Sequence, residues 1–546
     1  MRFIKKNFYL ILIIILATFL RFWQLGLIPP SPDWDEAALG YNALSILKTG
    51  KDEYGTSFPV ALRSFDDYKP PLYMYLTVPS VWLFGLNNQS VRSPGAISGI
   101  LAVLGAYFMV FELTKTSGSK NLKKSKIISL TASFLLVISP WHIQFSRIAF
   151  EAGIGVTLNI WGVYLFLRGL TQKNYLVMSA FIFGLSLYAY HSERIFVPFL
   201  VLILAVLYKK KLISNKRKVL QAVAVGFITI IPLIGLFTDK NTLMRLRGTS
   251  SLSDQTGLLA ASVNKLEDDI KRGDYIGKIL DNRRVVWTKT LLSGYLSHFS
   301  LKWWFISGDN PRHHASDVGM LHLWELPFLF IGIYAVFKKK NKLTTVLFSW
   351  FLLSPVAASP TTELPHGIRT LVFLPTFQVF IAFGLWEVFK YVKFNKTLIV
   401  KVSTILYSIF VIGNIFYYFH MYYIHSPIDY SQYWQYGYKQ AVAYAETNYD
   451  KYEKIVVSTK LEQPHMFFLY YLKYDPVKYL SEGGTASGGF REVENKFDKY
   501  EFRPIVWDQE NKDGSTLYIA TPEEINTSPL KTIYYLDKKE AIRIAR

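Results

Sequence analysis

Asp33, Asp35 and Glu36 crowd into DWDEAALGYNA, shortly after an uncharged run from Asn7 to Leu20. A second acidic pair precedes Lys69 in FDDYKPPLYMYL (Phe65–Leu76), and each group abuts an apolar segment. A single carboxylate here reads as a solvated loop residue, but that reading weakens for the group. The proline pair after Lys69 has fixed φ and restricts the residue before it, which holds the lysine extended. Ionisable side chains gather in other short stretches as well. SPWHIQFSRIAFEAG carries His142, Arg147 and Glu151, and YAYHSERIFVP carries His191, Glu193 and Arg194. SGDNPRHHASDVG carries Asp309, Arg312, His313, His314 and Asp317, and ELPHGIRTLVFLP carries His366 and Arg369. Arginine presents a fixed fork of donors that suits phosphate. Carboxylates beside converging cations suit transfer from a phosphate-linked group. The cations stabilise charge on the departing phosphate, and a carboxylate takes the proton of an acceptor hydroxyl.

The elements that must position these residues are membrane helices. The 546-residue chain is 51% hydrophobic, 16% aromatic and only 18% charged, against about 25% charged for soluble domains. Its net charge of +21 is gathered in short bursts between long uncharged runs. These are RFIKK at the start, Lys115–Lys126, Lys209–Lys218, Lys338–Lys342 and Lys390–Lys396. The alternate loops are poorer in Lys and Arg, so the bursts face the cytoplasm and serve as membrane-surface anchors. Nucleic acid is not an expected partner. Absence of cysteine excludes disulfides and thiolate metal sites. The first apolar segment is long for a signal peptide and lacks a small-residue cleavage site, so it reads as a retained helix.

Alternating sidedness gives a mainly α, multi-pass protein of the cell (plasma) membrane with about eleven spans. They are placed at 7–27, 94–113, 127–143, 154–170, 175–190, 195–208 and 220–237, then 321–337, 343–358, 370–389 and 398–419. The short segment Leu72–Leu86, with Pro79 inside, reads as an interfacial helix. A transmembrane domain is thus expected over 1–419, with a first external loop at 28–70 and a long external loop at 238–320. Residues 420–546 read as a small external α/β or α+β domain. In it, an amphipathic helix precedes a buried strand at Ile455–Ser458, and Ser481–Gly489 forms a flexible loop.

This topology puts the acids and the histidine- and arginine-bearing turns on the external face, at the depth of lipid headgroups. Arginine there runs against the charge rule and marks functional candidates. Tyr68, His191, Arg312, His313 and His366 join them as candidate substrate contacts. The His313-His314 pair lacks a regular ligand spacing, so no cofactor is expected and a divalent metal is not favoured. Blander roles go to Arg92 as an anchor at the outer end of a span, and to Arg21 snorkelling to the interface. Asp33 reads as a helix cap or solvated residue. For Arg147, an ion pair with Glu151 one helical turn on is the competing role.

DEAALGYNA, KPPLYMY, VRSPGAISG, SRIAFEA and HGIRTLVFLP together resemble elements of the GT-C glycosyltransferases of the protein O-mannosyltransferase and aminoarabinose transferase superfamily (family 39), in its bacterial form. The likeness covers about Asn7 to Phe419. It implies transfer of a sugar from a polyprenyl-phosphate donor to an acceptor on the non-cytoplasmic face. It also implies a catalytic aspartate at Asp35 with Glu36 beside it, and donor-phosphate contacts from Lys69 and Arg369. In aminoarabinose transferases the residue before KPP is often acidic and linked to a metal. Here it is Tyr68, which argues against a metal and against that substrate.

The favoured reading is an inverting transferase of the cell envelope that uses a lipid-phosphate hexose or pentose donor. Asp35 is the base and Glu36 orients the acceptor or the loop. Lys69, Arg147, Arg194 and Arg369 form the cationic set, and the acceptor is an undefined glycan, lipid or protein. A lipid or sugar transporter or flippase is the alternative. It calls for midplane charges and broken helices in repeated halves, whereas the spans here are largely free of charge.

Overall fold

The computed structural model describes residues 2–65, 67–118, 121–238, 250–253, 255–395, 397–487 and 494–546. The expected loops at 238–320 and 481–489 therefore lie partly outside the described residues. The chain opens with helix α1 (Arg2–Phe22), which ends earlier than expected because turns occupy residues 23–27. Helix α2 (Trp34–Thr49) begins at the acidic cluster. A hairpin follows, β1 (Leu62–Ser64) antiparallel to β2 (Asp67–Lys69), then α3 (Leu72–Phe84) and α4 (Asn88–Thr116). Nine further helices stand at 122–138, 152–169, 174–186, 193–207, 216–238, 326–337, 342–353, 376–394 and 398–420.

With α1 and α4 these occupy the places of the expected spans. Among the described residues, four stretches are long and apolar enough to cross a membrane: Asn88–Thr116, Lys216–Gly235, Leu371–Phe394 and Leu398–Asp429. The second expected span starts six residues earlier than read, because Asn87 and Ser90 form a reciprocal cap and Pro94 is accommodated inside the helix. The span expected at 370–389 shifts as well: residues 371–373 form a separate short turn before the helix Thr376–Phe394.

Helix packing relies on small residues. The helices 326–337 and 376–394 cross with their backbones in contact at two glycines. A Cβ on Gly332 would lie 1.7 Å from the Phe380 carbonyl oxygen, and one on Gly384 2.0 Å from that of Phe328. Only glycine allows this approach, as expected where lipid offers no hydrophobic drive to association. A continuous apolar core runs through this bundle from Ala17 to Tyr418.

A second core joins α2 and α3 to the C-terminal part of the chain. Ala37, Tyr41 and Met74 share it with Tyr438, Phe467 and Tyr479. That part holds a six-stranded mixed sheet in the order β4-β5-β3-β6-β8-β7. Its strands are β3 (Lys454–Ser458), β4 (Asn495–Phe497), β5 (Tyr500–Arg503), β6 (Thr516–Ala520), β7 (Lys531–Tyr534) and β8 (Glu540–Ala545). β3 pairs in parallel with β5 and β6 at the centre. Polar ties reinforce the junction: Tyr470 donates to Asn88 Oδ1 at 2.9 Å, and Thr485 Oγ1 to Glu53 Oε2 at 2.8 Å.

Candidate functional site

The acidic stretch forms a helix start because Asp33 supplies the cap. Its Oδ1 accepts the Glu36 amide at 2.8 Å, and its backbone is extended at φ −80°. Capping places Asp35 and Glu36 in the first turn, where the helix dipole favours negative charge. They face different partners.

Glu36 is fully buried and pairs bidentately with Arg92 of α4, Nε to Oε1 at 2.9 Å and Nη2 to Oε2 at 2.7 Å. The Ala149 amide also donates to Oε1, at 2.8 Å. Arg92 gives its remaining donors to the carbonyls of Leu25, Pro29 and Ser31. The expected surface anchor at Arg92 is thus a buried pillar that ties four chain segments together. Arg21 likewise does not snorkel. It is buried and donates to the Leu136 and Val137 carbonyls, with Nη2 2.7 Å from His142 Nδ1. In both cases nearby carbonyls and side chains take the terminal guanidinium nitrogens, in place of the lipid headgroups or water expected of an interfacial arginine.

Asp35 is partly exposed and stands between two cations. Lys69 Nζ ion-pairs with Oδ1, and Arg312 Nη2 with Oδ2 at 2.6 Å. Lys69 reaches it from the end of β2, where the ladder pairs it with Leu62 and its ammonium also lies 3.3 Å from Ser64 Oγ. Pro70 and Pro71 then lead into α3, a position where proline costs nothing. Arg312 comes from the 307–319 loop and binds Asp33 Oδ2 as well, at 2.7 Å. Its guanidinium lies over the Trp34 ring, 4.4 Å from the centroid, and 5.5 Å from that of Phe150.

Burial alone would raise the Asp35 carboxyl, but Lys69 and Arg312 outweigh it and hold it at about 2. For Asp33 burial wins, and its carboxyl is raised despite Arg312. Burial works against the Lys69 ammonium, yet Asp35, Glu151 and Asp67 around it raise it. The result is a persistent carboxylate with two cations on it, open to solvent on one side.

The other candidates stand elsewhere. Arg147 is buried and donates to Tyr422 Oη at 3.0 Å and to the carbonyls of Leu20, Arg21 and Ile28. Those bonds define its setting. Arg194 donates to the Leu187 carbonyl and lies 3.4 Å from His191 Nδ1, within its own turn. Arg369 donates to Thr361 Oγ1 at 2.8 Å and to the Thr362 carbonyl at 2.6 Å. Tyr68 sits opposite Arg63 in the hairpin, half-buried.

The adjacent histidines diverge. His314 bonds the Gly319 carbonyl at 2.9 Å inside its own loop. His313 turns towards Asp309 and His366, with the His313 and His366 rings 4.8 Å apart. Burial, with His313 and Arg369 beside it, pulls the His366 imidazole down to about 2, so it is neutral. Asp309 stands among the ionisable residues noted in its loop, with no role expected at the site. Its only local signal is its four-residue spacing from His313, since His366 arrives from another loop.

Residues 68–235 match the profile of the dolichyl-phosphate-mannose-protein mannosyltransferase family. No curated protein matches the sequence. Among solved structures, the chain resembles ArnT from Cupriavidus metallidurans bound to undecaprenyl phosphate, with TM-score 0.54 and 11% identity over 98% of both chains. The apo state of that protein gives TM-score 0.54 and 13% identity over 99% of this chain and 98% of that one. An oligosaccharyltransferase from Archaeoglobus fulgidus gives TM-score 0.51 and 14% identity over 94% of this chain and 68% of that one. The chain shares the overall fold of ArnT and of the archaeal oligosaccharyltransferase.

Proposed function

We propose that the protein is an integral-membrane glycosyltransferase that moves a sugar from a polyprenyl-phosphate donor to an acceptor hydroxyl, with inversion, on the non-cytoplasmic face of the cell membrane. The observation that carries this reading is the Asp35 carboxylate held between Lys69 and Arg312 at the start of α2. Arg312, first read as a substrate contact, joins Lys69 as the second cation of the proposed site. The likeness to an ArnT bound to undecaprenyl phosphate supports a lipid-phosphate donor.

The acceptor oxygen attacks the anomeric carbon from the face opposite the phosphate. As that C–O bond forms, the bond from the anomeric carbon to the phosphate oxygen breaks, and polyprenyl phosphate leaves with the electron pair. Asp35 takes the acceptor proton, and Lys69 and Arg312 receive the charge that grows on phosphate. Before the donor arrives, both cations keep Asp35 ionised but weakly basic. A phosphate that draws them away loosens this clamp and raises the basicity of Asp35 as the substrate takes its place. Glu36 orients the loop through Arg92. Arg369, close to His366, contributes at the edge of the site. Arg147 and Arg194, expected in the cationic set, donate to the carbonyls of Leu20, Arg21, Ile28 and Leu187 instead and are given no phosphate contact in this reading.

The donor is identified by incubating the purified chain in lipid nanodiscs with labelled polyprenyl-phosphate hexoses and pentoses and an envelope extract. Label transferred from one donor class is the expected result. Release from none of them would return the transporter reading.

A further inference from the structure

Beside the carboxylate clamp, three side chains from two loops converge without a role in the reaction above. Asp309 and His313 belong to the 307–319 loop, and His366 to the segment before the helix at 376–394. The Asp309 carboxylate lies 3.6 Å from His313 Nδ1 and 3.9 Å from His366 Nδ1. The ligand atoms of the three residues all fall within 4.8 Å of one another. A tetrahedral zinc ion with ligands at about 2.0–2.1 Å spaces them roughly 3.3 Å apart, so the trio needs to contract by at most about 1.5 Å. Asp309, His313 and His366 side chains are 8%, 11% and 6% exposed.

His366 Nδ1 carries a second and independent indication. It is buried and has no hydrogen-bond partner, while the rest of the residue is pinned. Its amide lies 3.3 Å from His298 Nε2, and its carbonyl accepts Thr370 Oγ1 at 2.8 Å. A buried ring nitrogen left unpaired costs free energy unless something fills the gap. The carboxylate is fixed too, because the Gly367 amide donates to Asp309 Oδ2 at 2.5 Å. Asn310 Nδ2, 3.2 Å from His313 Nδ1, is the one contact that must yield.

We infer that Asp309, His313 and His366 form a binding site for a divalent transition-metal ion of the zinc class. Two imidazoles and one carboxylate suit that class better than the oxygen-only sets of calcium or magnesium. The set does not include Asp35 or Tyr68. The ion clips the two loops together, and because His313 follows Arg312, it also steadies the arginine against Asp35.

The test is zinc content and affinity of the full-length protein purified in detergent, with cobalt(II) absorption as a spectroscopic readout. Wild type is expected to bind one zinc and to give a visible cobalt spectrum of a low-coordinate site. Asp309→Asn and His366→Gln, each checked for monodispersity, are expected to weaken zinc binding by at least about tenfold. A double variant of the exposed pair His420 and His425, whose ring nitrogens lie 3.1 Å apart, is expected to bind zinc as wild type does. No zinc bound by wild type overturns the inference. So does unchanged affinity in both monodisperse site variants, or loss of the ion only in the exposed-pair variant.

Discussion

At the residue scale, two neighbouring acids in one helical turn have been given opposite environments. Glu36 is sealed with Arg92, and Asp35 remains reachable beside Lys69 and Arg312. Removing the charge of Glu36 leaves a buried guanidinium unpaired, which costs about 3–5 kcal/mol. Glu36→Gln should therefore lower the thermal unfolding midpoint in detergent markedly, whether or not substrate is present. Separate roles for the two acids were expected from the family resemblance alone; the physical difference between them lies in partners from α4 and from a loop far along the chain, which local sequence does not reveal. Asp35 also makes stability depend on pH. Its folded value of about 2 lies below the unfolded value near 3.9. Its contribution is therefore complete above pH about 4 and is lost as the pH falls towards 2. The unfolding midpoint should decline across that window, and Asp35→Asn should make the decline shallower.

At the element scale, the chemistry depends on how backbone segments are delivered. The cap at Asp33, the hairpin that ends at Lys69 and the prolines after it present Asp35 and Lys69 to each other. The cap and the prolines were legible, since those signals are local; the hairpin was not expected from the sequence. The positions of the apolar helices were also legible from uncharged runs between lysine bursts. Their ends were not: the reciprocal cap of Asn87 and Ser90 lies before the uncharged run that marked the span, and the short turn at 371–373 lies inside an apolar stretch where hydropathy does not change. Nor could hydropathy reveal the glycine crossing of helices 326–337 and 376–394. A methyl group at Gly384 meets the Phe328 carbonyl at 2.0 Å. Gly384→Ala should destabilise the bundle by about 1–3 kcal/mol, read as a lower unfolding midpoint, whereas Gly413→Ala, with nothing within 4 Å, should not.

At the scale of the whole molecule, the first loop is a shared wall. One side of α2 packs into the core that it forms with the C-terminal part, and its first turn meets the loops at the end of the helix bundle. Glu462, from the C-terminal part, lies close enough to Arg312 for their charges to interact, although burial raises its carboxyl on balance. The sequence pointed to a separate C-terminal module with a buried strand. It could not show that this module is tied to the start of α4 through Tyr470 and Asn88, and to the loop after α2 through Thr485 and Glu53, because such contacts join residues hundreds of positions apart. The central claim is that Asp35 is the base of a glycosyl transfer. Its most direct test is the single-turnover rate of Asp35→Asn beside wild type, with a donor that wild type accepts and with folding confirmed by the unfolding midpoint. The account predicts a fall of about 10²–10⁴-fold with donor binding retained. Transfer at the wild-type rate by the folded variant would contradict it.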